Sequence, residues 1–414
     1  MTAACGGTKR LPPIYEIVQP TRRPEPAYEA MFPHYVELCA VSQFRRRDGK
    51  TGGIPGHAVM YLKGACVDRD APYPTLERCL ENTVDPEDQR HGAGISVNRI
   101  FKNVNWMAVP GKRLLLDGDL APDERLTQER YDAIEREAIE LGVFRGIEVH
   151  ERFLEDKDPG VSLEEFIADR AIGTDFALRL SRTAWCTRLP VTQPMIVEIM
   201  EYLNEMNRQY ATGEADYDWS GYHDNCVHLL HNALAAADVW KPKSIRVIKL
   251  RQMFNLAVPA NAVIDLGWRS VSSPLEDPDK LRRDTVSRES LATYGWVAGR
   301  HGALIKSLPI HQDNDLFETR VRILLFGKPI RSGAARKSQE LLADARFSEL
   351  ETNLRYYRAR YRVILDGLDE RPAAGTVEER RFVKRYREYL ERELADVSEK
   401  LEALPGLRAE LGRR

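Results

Sequence analysis

The sequence predicts an α+β protein in which an antiparallel sheet with packed helices is followed by an α-helical hairpin. Three observations predict it. Residues 35–44 and 56–66 are apolar, β-prone runs separated by basic and glycine-rich turn material. Residues 191–210 instead place apolar side chains at helical spacing, at Ile196, Ile199, Met200 and Leu203. From Ser338 onward the texture changes to long, highly charged segments with an apolar stripe.

In chain order, residues 1–30 carry five prolines among charges and read as a Pro-rich tail. The two β-prone runs form a hairpin with Arg45, Arg46 and Arg47 at its tip. The Gly49-Lys50-Thr51 that follows is not a phosphate-binding loop, because the required upstream glycine position holds Phe44 and no helix-forming run comes after it. Further strands are predicted at 94–100 and 105–109, a helix at 126–141 and a β-like run at 176–186. The helix at 191–210 is introduced by Pro190 and Pro194, and a polar turn leads to a mostly apolar helix at 227–237. Beyond Trp240 the pattern reads as loop-rich until a strand-like run at 320–326.

At the C-terminal end, Leu350, Leu354, Tyr357, Tyr361, Ile364 and Leu368 define one helical face. Val383, Leu390, Val397 and Leu404 recur every seventh residue, with Tyr386, Leu394 and Leu401 between them. Gly367 and Pro372 separate the two helices. An antiparallel hairpin packed on the main domain and a coiled coil that makes a homo-oligomer both fit this pattern. The domain organisation is therefore a tail at 1–30, a main domain at 31–335 and the hairpin at 336–414.

Composition bounds the function. The chain has 414 residues, 43% of them hydrophobic and 30% charged, which is ordinary for a folded, water-soluble protein of two or three domains. Lys plus Arg number 61 against 63 for Asp plus Glu, so a net charge of −2 gives no electrostatic reason to expect nucleic acid. Residues 1–10 lack the apolar core of a secretory leader, and no apolar run approaches the roughly 20 residues of a membrane span. The expected location is cytoplasmic. Six cysteines at positions 5, 39, 66, 79, 186 and 226 are irregularly spaced, without a Cys-x-x-Cys pair, and are expected to be reduced thiols. Cys39 and Cys66 fall on predicted strands and Cys79 on a short helical stretch.

The chemistry centres on Tyr222-His223-Asp224-Asn225-Cys226 at the mouth of the 227–237 helix. An unperturbed thiol, with a pKa of about 8.5, is only slightly ionised at neutral pH, so a nucleophilic cysteine needs a helix N-terminus, a histidine or both. Asp224 or Asn225 would cap the helix, and Tyr222 and Asn225 are placed to contact an oxyanion or to fix the turn. Gly56-His57 opens a strand immediately after a turn, so the His57 imidazole is the candidate base at a sheet edge.

A histidine on an early strand followed much later by Asn-Cys at a helix start resembles the circularly permuted papain-like, NlpC-type superfamily. The stretch from Tyr217 to Cys226, preceded by the 191–210 helix, looks like the Lnb-type N-terminal domain of lipoprotein N-acyltransferases. Asn225-Cys226-Val227-His228 is also similar to the Asn-Cys-Glu-His of lecithin:retinol acyltransferase-like enzymes. The resemblance covers about residues 35–326. It implies a permuted papain-like domain, Cys226 as nucleophile, His57 as the base, and a third polar residue that orients His57. Asn98 is preferred for that role over His91, Asp68 and Asp70.

The resulting expectation is acyl transfer through a thioester, with hydrolysis of an amide, peptide or ester bond preferred over transfer to an amine or lipid acceptor. No cofactor or metal is implied. Two rival readings use the same residues. His223, Cys226, His228 and His231 lie close enough in sequence for zinc, although one helix struggles to aim all four at one ion. His228 and His231 otherwise read as helix surface. A non-catalytic binding module is the other rival.

Overall fold

The computed structural model describes residues 26–42, 57–79, 91–116, 127–175, 183–217, 219–220, 224–242, 259–307, 340–369 and 376–413. Its centre is a six-stranded antiparallel sheet built from β1 (Tyr35–Ser42), β2 (His57–Lys63), β5 (Gly92–Ser96), β6 (Met107–Pro110), β7 (Thr183–Pro190) and β8 (Leu304–Ser307), in the order β6-β5-β2-β1-β7-β8. A separate two-stranded ribbon pairs β3 (Ala65–Asp68) with β4 (Thr75–Arg78). The helices are α1 (Pro26–Met31), α2 (Gly111–Leu116), α3 (Gln128–Glu140), α4 (Glu151–Leu154), α5 (Leu163–Asp175), α6 (Gln193–Ala211) and α7 (Cys226–Ala236). They continue with α8 (Pro259–Val271), α9 (Pro278–Arg283), α10 (Thr285–Tyr294), α11 (Ala345–Ser348), α12 (Leu350–Asp369) and α13 (Val377–Leu411).

Side chains alternate across a strand, so the sheet has two covered faces. Val36, Leu38, Ala58, Met60 and Leu62 pack with α6, α7 and α8 in one core. Tyr35, Cys39, Val59, Tyr61 and Cys186 face the other way, into a core shared with α1, α2, α3, α5, α12 and α13. The mixed α and β architecture with an antiparallel sheet and a C-terminal helical region is as the sequence predicts.

Several elements depart from expectation. Residues 26–31 lie inside or beside the predicted tail yet form α1, whose Ala27 and Tyr28 are buried and which packs on α13. Burial of two apolar residues beside Phe32 outweighs the prolines that punctuate this stretch. The supposedly loop-rich segment after Trp240 contains α8, α9 and α10, and two of these are capped locally: Asp277 Oδ1 accepts from Lys280 N, and Asp284 Oδ2 from Ser287 N. Cys79 follows β4 directly instead of lying on a helix. The 320–326 run and the Arg45–Arg47 tip fall outside the described residues.

The C-terminal helices are antiparallel, as ion pairs at both ends show: Arg408 with Glu351 at 2.7 Å and Arg387 with Asp369 at 2.5 Å. Thr376 begins α13 with a capping box, its hydroxyl accepting from Glu379 N while the Glu379 carboxylate accepts from Thr376 N. The helical repeat residues Tyr357, Tyr361, Tyr386, Leu390 and Val397 are buried within this chain. Polar ties fix the hairpin to the sheet side. Gly302 adopts a positive φ of 81°, and its N–H donates to Asn353 Oδ1 at 2.7 Å while its carbonyl accepts from Tyr28 at 2.9 Å. A Cβ at Gly302 would stand 2.4 Å from the Phe32 ring, so both conformation and space require glycine. The hairpin is thus the cover of one sheet face.

The expected reduced thiols are also corrected. Cys39 and Cys186, directly opposite each other on β1 and β7, form a disulfide, and so do Cys66 and Cys79. The Cys39–Cys186 link closes a separation of 147 residues, for which loss of unfolded-chain entropy contributes up to about 5 kcal/mol. Spacing alone does not reveal the pairing, because the two strands are brought together only by the sheet.

One row along, Glu37 and Arg188 are also directly opposite. Both are buried, and Arg188 Nη2 lies 3.0 Å from Glu37 Oε2. Lys112 from α2 reaches the same carboxylate at 2.6 Å, and Glu29 from α1 lies 3.5 Å from both Lys112 and Arg188. Tyr35 donates its hydroxyl to Glu29 at 2.6 Å. Two cations and two carboxylates balance. Burial pushes the Glu29 carboxyl up, but Lys112, Arg188 and the Tyr35 hydroxyl outweigh it and hold the group down at about 2, against an ordinary 4.5.

Two consequences of this cluster can be measured. Arg188→Met leaves two buried carboxylates with one cation and should cost about 3–5 kcal/mol in urea unfolding. Because folded Glu29 binds its proton less readily than unfolded Glu29, its contribution to stability is complete above pH 4.5 and is lost as the pH falls toward about 2. Acid titration of the thermal midpoint should show this loss in the wild type, and a smaller one over the same range in Glu29→Gln.

Candidate active site

Cys226 is the first residue of α7, and local chain geometry puts it there. Ser220 and Asp224 exchange backbone hydrogen bonds at 3.0 and 3.3 Å, closing the turn before the helix. The Tyr217 hydroxyl donates to the Asp224 carbonyl at 3.4 Å. Asn225 is the N-cap, with extended backbone and a side-chain oxygen that accepts from Val227 N at 2.9 Å and His228 N at 3.3 Å. Of the two roles expected of Asn225, this is fixing the turn. Tyr222, the other expected oxyanion contact, lies outside the described residues together with His223.

Capping leaves a simple inventory at the helix mouth. Val227 and His228 N–H are engaged by Asn225, and no described residue accepts from Cys226 N–H. That amide belongs to the positive end of α7, which favours an anion forming beside the sulfur. The thiol is 6% exposed, and its Sγ accepts from Ala58 N at 3.4 Å. Ala58 directly follows His57, so the structure brings together the two stretches of chain that the sequence singled out.

His57 is the first residue of β2, which is an interior strand; the imidazole therefore stands at the end of a central strand and not at a sheet edge. Pairing of β2 with β5 stops at Met60 opposite Ile95. Beyond that point His57 Nε2 lies 2.8 Å from Ser96 Oγ. By alternation His57 shares the face of Val59 and Tyr61, whereas α7 packs on the face of Ala58 and Met60. The thiol therefore touches the backbone next to His57, while the imidazole stands on the other face of β2 against Ser96.

Ser96, a residue that sequence reasoning missed, thus makes a contact with His57 of the kind expected of a third polar residue. Asn98, preferred for this role, is buried two residues further on, and its Oδ1 accepts from Ile100 N at 2.9 Å. The difference is one of strand register: β5 spans Gly92–Ser96 and not 94–100, so its last residue reaches His57 while Asn98 already belongs to the turn. Asp68 sits in the β3–β4 ribbon, where Oδ1 accepts from Asp70 N.

The rival zinc arrangement is not assembled among the described residues. His228 and His231, expected on a helix surface, are buried at 1% and 3% exposure because α7 is apolar on nearly all sides. His231 stacks on Trp240 with ring centroids 4.1 Å apart, and its Nε2 lies 2.8 Å from the Lys241 carbonyl. Cys226 faces Ala58 instead. Two other groups bring Cys and His or carboxylate atoms within metal-binding reach, Cys66 with Cys79 and His91, and Glu37 with Cys39 and Cys186.

Cys226 is the free cysteine among the described residues; the other four described are paired in disulfides. No helix of the described residues is long and apolar enough to cross a membrane. No family model, curated protein or solved structure matches this chain.

The cap can be tested directly. Asn225→Ala should lower stability by about 1 kcal/mol in urea unfolding, and Asn225→Asp, which keeps the acceptor, should restore most of it.

Proposed function

We propose that this protein is a thiol-dependent acyl-transfer enzyme with a permuted papain-like catalytic domain, acting first as a hydrolase of an amide, peptide or ester bond. The observation that carries the reading is the approach of Cys226 Sγ to within 3.4 Å of the peptide nitrogen following His57, at the capped N-terminus of α7. A nucleophile at a helix start, next to the strand end that carries a histidine, supplies two of the parts such chemistry needs.

In the proposed reaction the Cys226 proton passes to His57, whose imidazole must reach round the end of β2 to accept it, and the sulfur attacks the acyl carbonyl. The tetrahedral oxyanion is received by Cys226 N–H at the positive end of α7. His57 then returns the proton to the leaving amine or alcohol as the thioester forms. Water, deprotonated by His57, attacks the thioester and releases the acid and the thiol. Ser96 holds the imidazole through Nε2, so proton exchange with the thiol is assigned to Nδ1. An amine or lipid acceptor in place of water would make the same intermediate an acyltransferase step.

The two disulfides support an oxidising compartment over the cytoplasm, because such bonds persist where thiols are not kept reduced. They also favour chemistry at Cys226 over a structural role, since the other described cysteines are each committed to a partner.

The test is alkylation followed by turnover. Iodoacetamide at about pH 6 should modify Cys226 in the wild type, read by peptide mass spectrometry, at a rate at least about tenfold above that in His57→Ala. A panel of activated esters and acyl amides should be hydrolysed with a burst of acyl-enzyme that Cys226→Ala abolishes. Ser96→Ala should lower kcat by roughly 10- to 100-fold with little change in KM, as expected for a residue that positions the base. Equal alkylation in wild type and His57→Ala, with no turnover of any acyl donor, would move the reading to a binding module.

A further inference from the structure

Away from Cys226, the ribbon of β3 and β4 gathers three ligand-forming side chains that the acyl-transfer reading does not use. Sulfur atoms of Cys66 and Cys79 and a ring nitrogen of His91 all lie within 4.8 Å of one another. The three residues are half-buried, so the group is reachable from solvent. Backbone hydrogen bonds hold them in place, with Cys79 N donating to the Gly64 carbonyl and Gly64 N to the His91 carbonyl. His91 Nε2 is shielded from solvent and has no hydrogen-bond partner among the described residues. A buried ring nitrogen beside two sulfurs is poorly served by a disulfide alone.

A carboxylate also lies on the same side of the ribbon. Glu77 stands directly opposite Cys66 in the β3–β4 register, and Cys79 lies two residues further along the same side. The second group of similar geometry differs on this point: Glu37 beside Cys39 and Cys186 is already matched by Arg188 and Lys112 in a closed core.

We propose that Cys66, Cys79 and His91, with Glu77 across the ribbon as fourth ligand, form a site for a zinc-class divalent cation when the Cys66–Cys79 disulfide is reduced. A dithiol donor supplies two electrons and two protons, becoming a cyclic disulfide as the Cys66–Cys79 bond opens into two thiols. The cation then displaces both thiol protons to solvent and binds two thiolates and one neutral imidazole. Tetrahedral zinc with bonds of about 2.3 Å to sulfur and about 2.0 Å to nitrogen needs ligand atoms about 3.5 Å apart, a small adjustment from the present spacing once the sulfurs separate. The ribbon is then held shut by a covalent bond in one redox state and by a metal in the other.

The experiment uses the full chain, reduced with dithiothreitol, desalted without oxygen and titrated with cobalt(II) and then zinc(II). Reduced wild type should take up about one equivalent of cobalt with the visible absorption of a tetrahedral thiolate site, which zinc bleaches. Unreduced protein should show no such band. His91→Ala should weaken uptake at least about tenfold, and the Cys66→Ser, Cys79→Ser double variant, which retains Cys226, should abolish the band. His91→Gln, checked for native fold by circular dichroism, guards against a variant that merely fails to fold and should weaken uptake in the same way. Absence of the band from reduced wild type, undiminished uptake by the double variant, or unchanged affinity in His91→Gln would each overturn the proposal.

Discussion

The pairing of Arg188 with Glu37 governs how this fold is put together. The two residues are opposite each other on β1 and β7, in the middle of a sheet whose face is closed by helices. Neither charge can be left alone there, since an unpaired ion in such a place costs several kcal/mol. Lys112 and Glu29 complete the set from α2 and α1, which fixes where both helices must dock. The Arg188 guanidinium also lies over the Tyr28 ring at 4.5 Å and the Tyr35 ring at 5.0 Å, so the aromatic core forms around the charges.

The next row of the same face holds the Cys39–Cys186 disulfide, and the row beyond it begins at His57, opposite Val41. Covalent and ionic links between β1 and β7 therefore lie next to the strand that carries the imidazole. On the other face α7 is pressed onto β2 through Val227, Leu230, Ala233 and Leu234, all buried. A rigid sheet end and a capped, fully packed helix hold Cys226 and the Ala58 amide in fixed register. That is the precision a nucleophilic site requires of its supporting elements.

Much of the framework was legible in the sequence because it rests on local signals. Apolar β-prone residues in 57–63, helical spacing in 193–211 and the seven-residue recurrence of Val383, Leu390 and Val397 each report one element from within itself. The same holds for Cys226, since a cap and a helix start are adjacent in the chain. What stayed hidden depends on residues far apart. Glu29, Glu37, Lys112 and Arg188 look like ordinary surface charges until the sheet joins them. Ser96 was missed by two positions because the end of β5 is set by its neighbours and not by its own composition. Helices α8 to α10 are irregular in pattern, and their stability comes from caps and from docking on the sheet and α13.

The cover formed by α12 and α13 has a consequence for the order in which the chain can mature. Tyr35, Tyr61 and the α1 residues are made well before Tyr357, Tyr386 and Leu390, which complete the core that buries them. A chain emerging from the ribosome therefore presents one face of its sheet uncovered until α13 has been released. That interval is when the nascent sheet is most open to chaperones and to aggregation.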